Sequence, residues 1–311
     1  MKKNFFIILV AISAFVVSCA TDRPITLVKE TALDFEELAR EHYNKADYQN
    51  ALLYFEKALR ENQKVNHEAG MAMDLYNIAR CYVNYDLFEN AEKVLNEAVS
   101  INEHNGNMSG LGDNYSLIAS IRIKQKRYED AAELLERSID YYSIDKNSGG
   151  VATALNNLAT LDIKKGDYEK AKERIVSSIN TQKKIKNHLG LAAAYSNFGY
   201  LLELQEEPEQ ALEYHLLALE EDKYVENSVG ISNDLHIIAE LYKKKGDFEN
   251  ALFHYKRALD LNRGLNFIER EITDLKNIID ILHSMGRTEE KQIYQSALEE
   301  LEKAQEISPQ D

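Results

Sequence analysis

The chain has 311 residues, of which 37 are lysine or arginine and 52 are aspartate or glutamate, so its formal net charge is −15. Nucleic acid and anionic lipid repel so acidic a chain, which argues against nucleic-acid binding. Hydrophobic residues make up 44% of the chain and charged residues 29%, a balance typical of a folded protein rather than a disordered one.

The chain begins with an apolar segment that is predicted to direct export. Two lysines precede the apolar stretch from Phe5 to Val17, which is too short to span a bilayer comfortably. A serine and Cys19 follow directly, and this arrangement resembles a bacterial lipoprotein signal. The resemblance implies that residues 1–18 are a signal peptide and that Cys19 is lipidated. An ordinary secretory signal with an incidental cysteine, or an uncleaved membrane anchor, remains an alternative.

Lipidation would place the protein at the bacterial cell envelope, on the periplasmic face of the outer membrane if the bacterium is Gram-negative. Several acyl chains on one residue anchor stably, whereas one chain alone is marginal. Residues 19–30 are predicted to be a lipidated tether, and the eleven residues after Cys19 reach at most about 35 Å when extended. The only other cysteine is Cys81. We expect it to be a packed core thiol, because a single remaining cysteine cannot form an intramolecular disulfide.

The most regular stretch of the chain, residues 151–186, contains two amphipathic segments joined by Lys165-Gly166-Asp167. Apolar residues at helical spacing predict a helix with one buried stripe in each segment. Gly166 suits a helix stop, because glycine adopts the left-handed conformation cheaply. Asp167 is predicted to cap the next helix through its carboxylate. A lone hairpin of this size cannot bury both faces and therefore needs copies of itself.

A fixed period of 40 residues relates this hairpin to five others. Small residues allow two helix backbones to approach where they cross, and bulky neighbours fill the remaining space. An alanine recurs at one position of every second helix, at Ala51, Ala91, Ala131, Ala171, Ala211 and Ala251. The period predicts six units over residues 31–265, starting near residues 31, 71, 111, 151, 191 and 231.

The small-residue and aromatic pattern, as in LNNLA…GDYEKA from Leu155 to Ala171, resembles the tetratricopeptide repeat family. The resemblance implies an all-α fold, a right-handed superhelical α-solenoid of antiparallel helical hairpins. The commonest period in that family is 34 residues. The 40-residue period is similar to its longer-repeat branch, as in kinesin light chains. A glycine is expected before each first helix after the first unit, at Gly70, Gly110, Gly150, Gly190 and Gly230.

The last segment keeps the period but loses the signature. Lys291 stands where the earlier units place alanine, and the second segment of this unit is polar on most faces. Terminal repeats need a polar outer face to stay soluble. Residues 266–306 are therefore predicted to be a degenerate seventh unit with capping helices, followed by a frayed tail at 307–311.

Chemical motifs are sparse along the chain. There is no HExxH, GxSxG, P-loop or glycine-rich dinucleotide-binding turn, and the eight histidines are scattered singly. Adjacent carboxylates such as Glu206 and Glu207 point away from each other on a helix and do not form an acid/base pair. We therefore predict no enzymatic activity, no cofactor and no metal site.

The resemblance implies that the first helices line a concave groove. One asparagine of the first helix faces that groove in the longer-repeat branch, and its amide can hydrogen-bond the backbone of an extended peptide. Solvation of a polar helix face, or bridging between hairpins, is the alternative role for these amides. Matching asparagines occur at Asn77, Asn157, Asn197 and Asn277. The other residues expected in the groove are Arg40, Tyr43, Tyr76, Arg80, Asn156, Thr160 and Tyr200.

These expectations favour a membrane-anchored interaction scaffold that binds a partner protein or peptide on its concave face. Arginine and tyrosine are enriched at binding hot spots, so the Arg40–Arg80 end would suit an acidic or aromatic ligand. An accessory or ligand-binding component of an envelope transport or outer-membrane assembly system is the alternative, and it rests on architecture alone.

Overall fold

The structure, a computed structural model, describes residues 25–307. The predicted signal peptide, the Cys19 lipidation site and residues 308–311 of the predicted tail lie outside the described residues. Within the described range the chain forms fourteen α-helices and no β-strand. None of these helices is both long enough and apolar enough to cross a membrane.

The helices alternate with short turns and pair into seven hairpins. In chain order they are α1 (Ile25–Asn44), α2 (Tyr48–Lys64), α3 (Glu68–Asn84), α4 (Phe88–Asn105), α5 (Met108–Lys124), α6 (Tyr128–Ile144), α7 (Ser148–Lys165), α8 (Tyr168–Ile185), α9 (His188–Leu204), α10 (Pro208–Tyr224), α11 (Ser228–Lys244), α12 (Phe248–Gly264), α13 (Ile268–Ser284) and α14 (Thr288–Ile307). Each helix packs on the next one along the chain, which confirms the predicted all-α solenoid of antiparallel hairpins.

The repeated alanines are fully buried where paired helices cross. Ala51 and Ala171, for example, have no exposed surface. The first hairpin core also contains Phe55 and Cys81, so the prediction of a packed thiol is confirmed. Burial raises the pKa of Cys81 to about 12, because the uncharged thiol is favoured in an apolar environment.

The turn after α7 agrees with the sequence in one respect and differs in another. Gly166 adopts a left-handed conformation with φ +82°, as a helix stop requires. Asp167 is not a side-chain cap, so that prediction was wrong. Asp247 does cap its helix, and there the side chain of Asn250 also donates to the carboxylate at 2.8 Å. Lys170 stands in the place of Asn250 and offers no amide to hold the Asp167 carboxylate.

Helix starts also differ from expectation. The first helix begins at Ile25, so part of the predicted tether is helical, and later first helices begin about one turn before the predicted unit starts. The repeated glycines consequently lie inside the helices. Asn107 accepts a hydrogen bond from the backbone of Gly110 at 3.0 Å and donates to Asn102 at 2.9 Å. A Cβ atom on Gly110 would lie 2.7 Å from the amide of Asn102, so the glycine permits the close joint between units.

The last hairpin closes the array. Among the residues of α14 whose side chains are described, none is fully buried. Tyr294, Leu298 and Leu301 pack partly against a core built from α12 and α13. Apart from Ile293, which is 69% exposed, the outer surface of α14 is mostly polar, as expected of a terminal helix.

Candidate functional site

The first helices of successive hairpins form the inner layer of the array. Helix α3 contacts α5, α5 contacts α7 and α7 contacts α9, whereas no comparable contact joins successive second helices in the described range. The array curves far enough that residues 45–49 and residues 264–267 line the same cavity of about 690 Å³. We call the inner surface of α1, α3, α5, α7, α9, α11 and α13 the groove.

The central part of the groove contains an open cavity of about 490 Å³. Its walls come mainly from α5 and α7, and α3 contributes Tyr76. Ser116, Leu117 and Ser120 of α5 and Asn157 of α7 are among the lining residues. Together with Ile185 of α8, they give the cavity apolar side chains as well as hydroxyl, amide and carboxyl groups, a composition that can take up an extended polypeptide segment.

Arg80 lies at the centre of an aromatic cluster beside this cavity. Its guanidinium carbon is 4.2 Å from the ring centroid of Tyr43 and 5.9 Å from that of Tyr76. Its Nη1 atom donates to Oδ1 of Asn77 at 3.1 Å. Asn84 donates to the Tyr43 hydroxyl at 2.9 Å, which holds that ring in place. The structure thus brings together four of the predicted groove residues, from the first and second hairpins.

Charge at the cavity is mixed. Asp113 is half-buried on α5, and its Oδ1 accepts from the hydroxyl of Tyr142 at 2.6 Å. Burial raises the pKa of Asp113, while the Tyr142 hydrogen bond and the positive charge of Arg80 act in the opposite direction. Burial also raises the pKa of Tyr76 to about 12, so its hydroxyl keeps its proton at neutral pH. A ligand in this cavity meets the carboxyl group of Asp113 and the ring of Tyr76, with the Arg80 guanidinium 5.9 Å from the centroid of that ring.

The four matching asparagines do not form one continuous ladder. Asn77 accepts from Arg80, Asn197 donates to Thr160 at 3.1 Å, and Asn277 accepts from Lys243 at 2.7 Å. Two of these bonds bridge neighbouring hairpins, which is the alternative role considered for the amides. Asn157 makes no side-chain hydrogen bond in the described part of the chain and lines the cavity, so its whole amide is available to a ligand.

The remaining predicted residues are dispersed. Asn156 is only 5% exposed and Asn77 only 8%, so the expected place of these two side chains on the open groove surface was wrong. A step of one residue from Asn157 turns the side chain by about 100°, toward a neighbouring helix. Arg40 is exposed and contacts Glu36 at 3.4 Å rather than joining the Arg80 cluster. Tyr200 is exposed on α9.

Sequence reasoning missed Asp113 and Tyr142, although the 40-residue period held a signal. The position of Tyr142 is occupied in the other units by a shorter polar residue, namely Asn62, Asn102, Gln182, Asp222 or Asn262. A tyrosine in that series indicates that the side chain filling this joint between units extends further than it does in the other units. Its hydroxyl reaches Asp113, and its ring also lines the cavity.

The histidines and acidic residues of the described range do not cluster. No group of three or more histidine, cysteine, aspartate or glutamate side chains is placed there to hold a metal ion. Four of the histidines instead pair singly with acidic residues, as His215 does with Glu203 at 3.1 Å. These pairs join helices of the scaffold.

Sequence comparison identifies the repeats. A profile described as tetratricopeptide repeat matches residues 111–184, 150–223 and 190–264, and a second profile of the same description matches residues 75–105. Together the matches cover more than half of the chain. No curated protein matches the chain in sequence.

Several solved structures share the fold. A Rap protein complexed with competence and sporulation factor is 13% identical, with a TM-score of 0.63 over 90% of this chain and 79% of that one. Aspartyl phosphate phosphatase F from Bacillus subtilis is 17% identical, with a TM-score of 0.58 over 89% and 72% of the two chains. BtubC from P. vanneervenii is 20% identical, with a TM-score of 0.51 over 79% and 92%.

Identities this low indicate a shared fold alone. The profile matches cover repeats in which small residues are buried at each helix crossing. The chain therefore belongs to the tetratricopeptide repeat family.

Proposed function

We propose that the protein is a non-enzymatic interaction scaffold that binds a partner protein or peptide in its groove, at the cavity between α3, α5 and α7. The observation that carries this proposal is the position of Arg80, stacked on Tyr43 and close to Tyr76, next to an open cavity of about 490 Å³. Arginine and tyrosine are the residue types most often found at binding hot spots.

Each part of the site would contribute a different contact. Arg80 has five N–H donors, and its hydrogen bond to Asn77 uses one of them, so it can also bind a carboxylate of the partner. The Tyr76 ring offers apolar contact area, and the available amide of Asn157 can both donate to and accept from a peptide backbone. An extended segment with an acidic or aromatic side chain near Arg80 fits this arrangement.

The shared fold is consistent with this proposal. The similar Rap protein was solved in complex with competence and sporulation factor, so a related array holds a bound factor. Repeat arrays in general expose a long concave surface on which a partner can bind.

Site-specific photo-crosslinking in cells tests the proposal. A photoreactive amino acid at Ser120, on the cavity wall, should capture one specific partner, whereas the same probe at Lys172 on α8 should not. Arg80→Glu and Asn157→Ala should each weaken capture from Ser120. Arg60→Glu makes the same charge change on α2 and should leave capture unchanged. Equal capture in the Arg80 and Asn157 variants would overturn the assignment of this cavity.

We further propose that lipid on Cys19 anchors the protein at the cell envelope, supported by the two lysines, the apolar stretch and the adjacent cysteine at the start of the chain. Metabolic labelling with a palmitate analogue should mark the wild-type protein, and Cys19→Ser should abolish the label and shift the protein out of the membrane fraction. Cys81→Ser is the matched control and should change neither result. A labelled Cys19→Ser variant would contradict the proposal.

A further inference from the structure

A second cavity of about 310 Å³ lies in the groove between α9, α11 and α13. Polar side chains from three successive first helices line it, among them Ser196, Asn233, His236, Arg270 and Thr273. Its volume lies near the lower end of the range of about 300–1,000 Å³ that small-molecule sites occupy. It shares no lining residue with the cavity between α3, α5 and α7.

Arg270 occupies the place that glycine holds in the five preceding units. Its Nη1 atom donates to Oδ1 of Asn233 at 2.6 Å, and its guanidinium stacks over the Phe267 ring at 4.8 Å. No carboxylate in the described range forms a salt bridge with it. A guanidinium has five N–H donors, so most of its donors remain for a ligand. The arginine at this position, where the preceding units have glycine, thus places a positive charge in the groove and holds it there by the Asn233 and Phe267 contacts.

His236 is held beside this cavity by a buried acid. Its Nδ1 atom lies 2.7 Å from Oδ1 of Asp274, which has no exposed surface and whose Oδ2 accepts from Asn262 at 2.7 Å. A carboxylate only accepts, so Nδ1 carries the proton. The ring also packs edge-on against Tyr255. Nε2 makes no hydrogen bond in the described part of the chain, so it is available at the cavity.

The acids near the cavity are already paired. Asp234 accepts from Ser196 at 3.2 Å, and burial together with the neighbouring Asp222 raises the pKa of Asp234 to about 8. Glu271, in the first turn of α13, pairs with Arg263 at 2.7 Å. Apart from His236, Arg270 is the only ionisable side chain among the described residues that line this cavity, in a chain whose overall charge is strongly negative.

We propose that this cavity binds an oxyanion group, a carboxylate or a phosphate, through the guanidinium of Arg270, with the Nδ2 amide of Asn233 as a further donor and His236 beside them. Arginine suits this task because its planar, forked donors match two oxygens of such a group at once. The cavity leaves space for the part of the ligand that carries the anion. This inference does not depend on partner binding at Arg80, since the two cavities have separate walls.

Titration calorimetry on the full chain in detergent tests the proposal, with inorganic phosphate and acetate as probes at constant ionic strength. The wild-type protein should bind at least one probe saturably. Arg270→Gln should weaken that binding at least about tenfold, as expected for loss of a charge-assisted hydrogen bond. His236→Gln should weaken it less. Arg257→Gln is the matched control, because Arg257 also stacks on a phenylalanine, Phe253, but lines neither cavity.

Tighter binding of phosphate would identify a phosphoryl ligand, and tighter binding of acetate a carboxylate ligand, and both results support the site. Arg270→Lys keeps the charge and should retain part of the affinity, with circular dichroism showing that each variant is folded. Absence of saturable binding by either probe overturns the proposal, as does equal binding by the wild-type and Arg270→Gln proteins. Neither failure affects the crosslinking test at Ser120.

Discussion

The hydroxyl of Tyr142 donates to Oδ1 of Asp113 at 2.6 Å and thereby connects the end of α6 to the groove surface of α5. Tyr142 is only 3% exposed, and Asp113 is half-buried at the cavity between α3, α5 and α7. Burial raises the pKa of both groups. The residue that fills the joint between the third and fourth units therefore also holds an acidic group of the groove in place.

Removal of this hydroxyl should destabilise the protein. In Tyr142→Phe, Asp113 loses a hydrogen-bond donor in a half-buried place, and we expect the free energy of unfolding to fall by about 1–3 kcal/mol. Urea denaturation followed by circular dichroism measures the change. Tyr224→Phe removes the same atom from a side chain that is 72% exposed and should have little effect. Equal losses in the two variants would show that the Asp113 contact contributes nothing.

Two glycine substitutions should act in opposite directions. Glycine to alanine in a helix normally stabilises by about 0.5–1 kcal/mol. Gly264→Ala should show this gain, because a Cβ atom at Gly264 meets no atom within 4 Å. Gly150→Ala should instead destabilise by about 1–3 kcal/mol, because its Cβ atom would collide with the ring of Tyr142. The melting temperature of each variant, compared with that of the wild type, tests whether the substitution stabilises or destabilises as predicted. A Gly150→Ala variant more stable than the wild type would contradict the close contact between Gly150 and Tyr142.

The ion pair between Arg174 and Asp162 should matter more than those on the surface. Nη1 of Arg174 lies 2.5 Å from Oδ2 of Asp162, with side chains only 18% and 8% exposed. Arg174→Met leaves a buried carboxylate without its partner and should destabilise by about 3 kcal/mol.

The control for this pair is Arg127→Met, because Arg127 pairs with Asp130 and both side chains are about half exposed. Exposed pairs contribute at most about 1 kcal/mol, so this variant should stay close to wild type in denaturation midpoint. Similar midpoints for both methionine variants would mean that the buried pair has no special role.

Stability should fall as the pH rises from about 6.5, the ordinary pKa of histidine, to about 8. Burial raises the pKa of Asp74 to about 7 and that of Asp234 to about 8, both from an ordinary value of 3.8. Between the ordinary and the raised value, the native state binds more protons than the unfolded state. The contribution of each group to the free energy of unfolding is therefore greatest below pH 3.8. It falls by up to about 1.4 kcal/mol per pH unit until the pH passes the native pKa of the group.

Asp234→Asn should flatten this slope and make the protein more stable than wild type at pH 9, because an amide cannot ionise. Asp247→Asn is the control, since the pKa of Asp247 is lowered by hydrogen bonds from Asn250 and the group stays ionised throughout this range. Measuring the free energy of unfolding of the wild type and both variants at several pH values tests this prediction. A wild-type stability that is constant between about pH 6.5 and about pH 8 would contradict the burial effect.

Local features of the sequence predicted the fold well. The helices, their pairing and the buried alanines follow from side-chain spacing, which reports directly on which face of a helix is apolar. The side-chain cap expected at Asp167 was wrong, because such a cap depends on a residue of the next turn, which is Lys170 there but Asn250 after Asp247. The glycines were recognised by their period, yet their role inside the helices became clear only when the side chain packed over each of them was known.

The candidate sites were only partly predictable. Arg80, Tyr43 and Tyr76 come together as expected, because helical spacing and the period place them there, whereas Arg40 pairs with Glu36 instead of joining them. Asp113 and Tyr142 lie on different helices of a hairpin, and nothing in their spacing reports a contact across it.

By itself the sequence determined the repeat, its period, the helical hairpins and the excess of acidic groups, since these depend on residue type and spacing along the chain. Only the tertiary structure decided which polar groups pair with each other and which remain available. The side-chain amide of Asn197 donates to Thr160, whereas that of Asn157 makes no side-chain hydrogen bond and lines a cavity. Arg270 lines the other cavity, at the position that glycine occupies in earlier units. The physical reason is that hydrogen bonds and cavities depend on distances between hairpins, which the packing of large side chains sets.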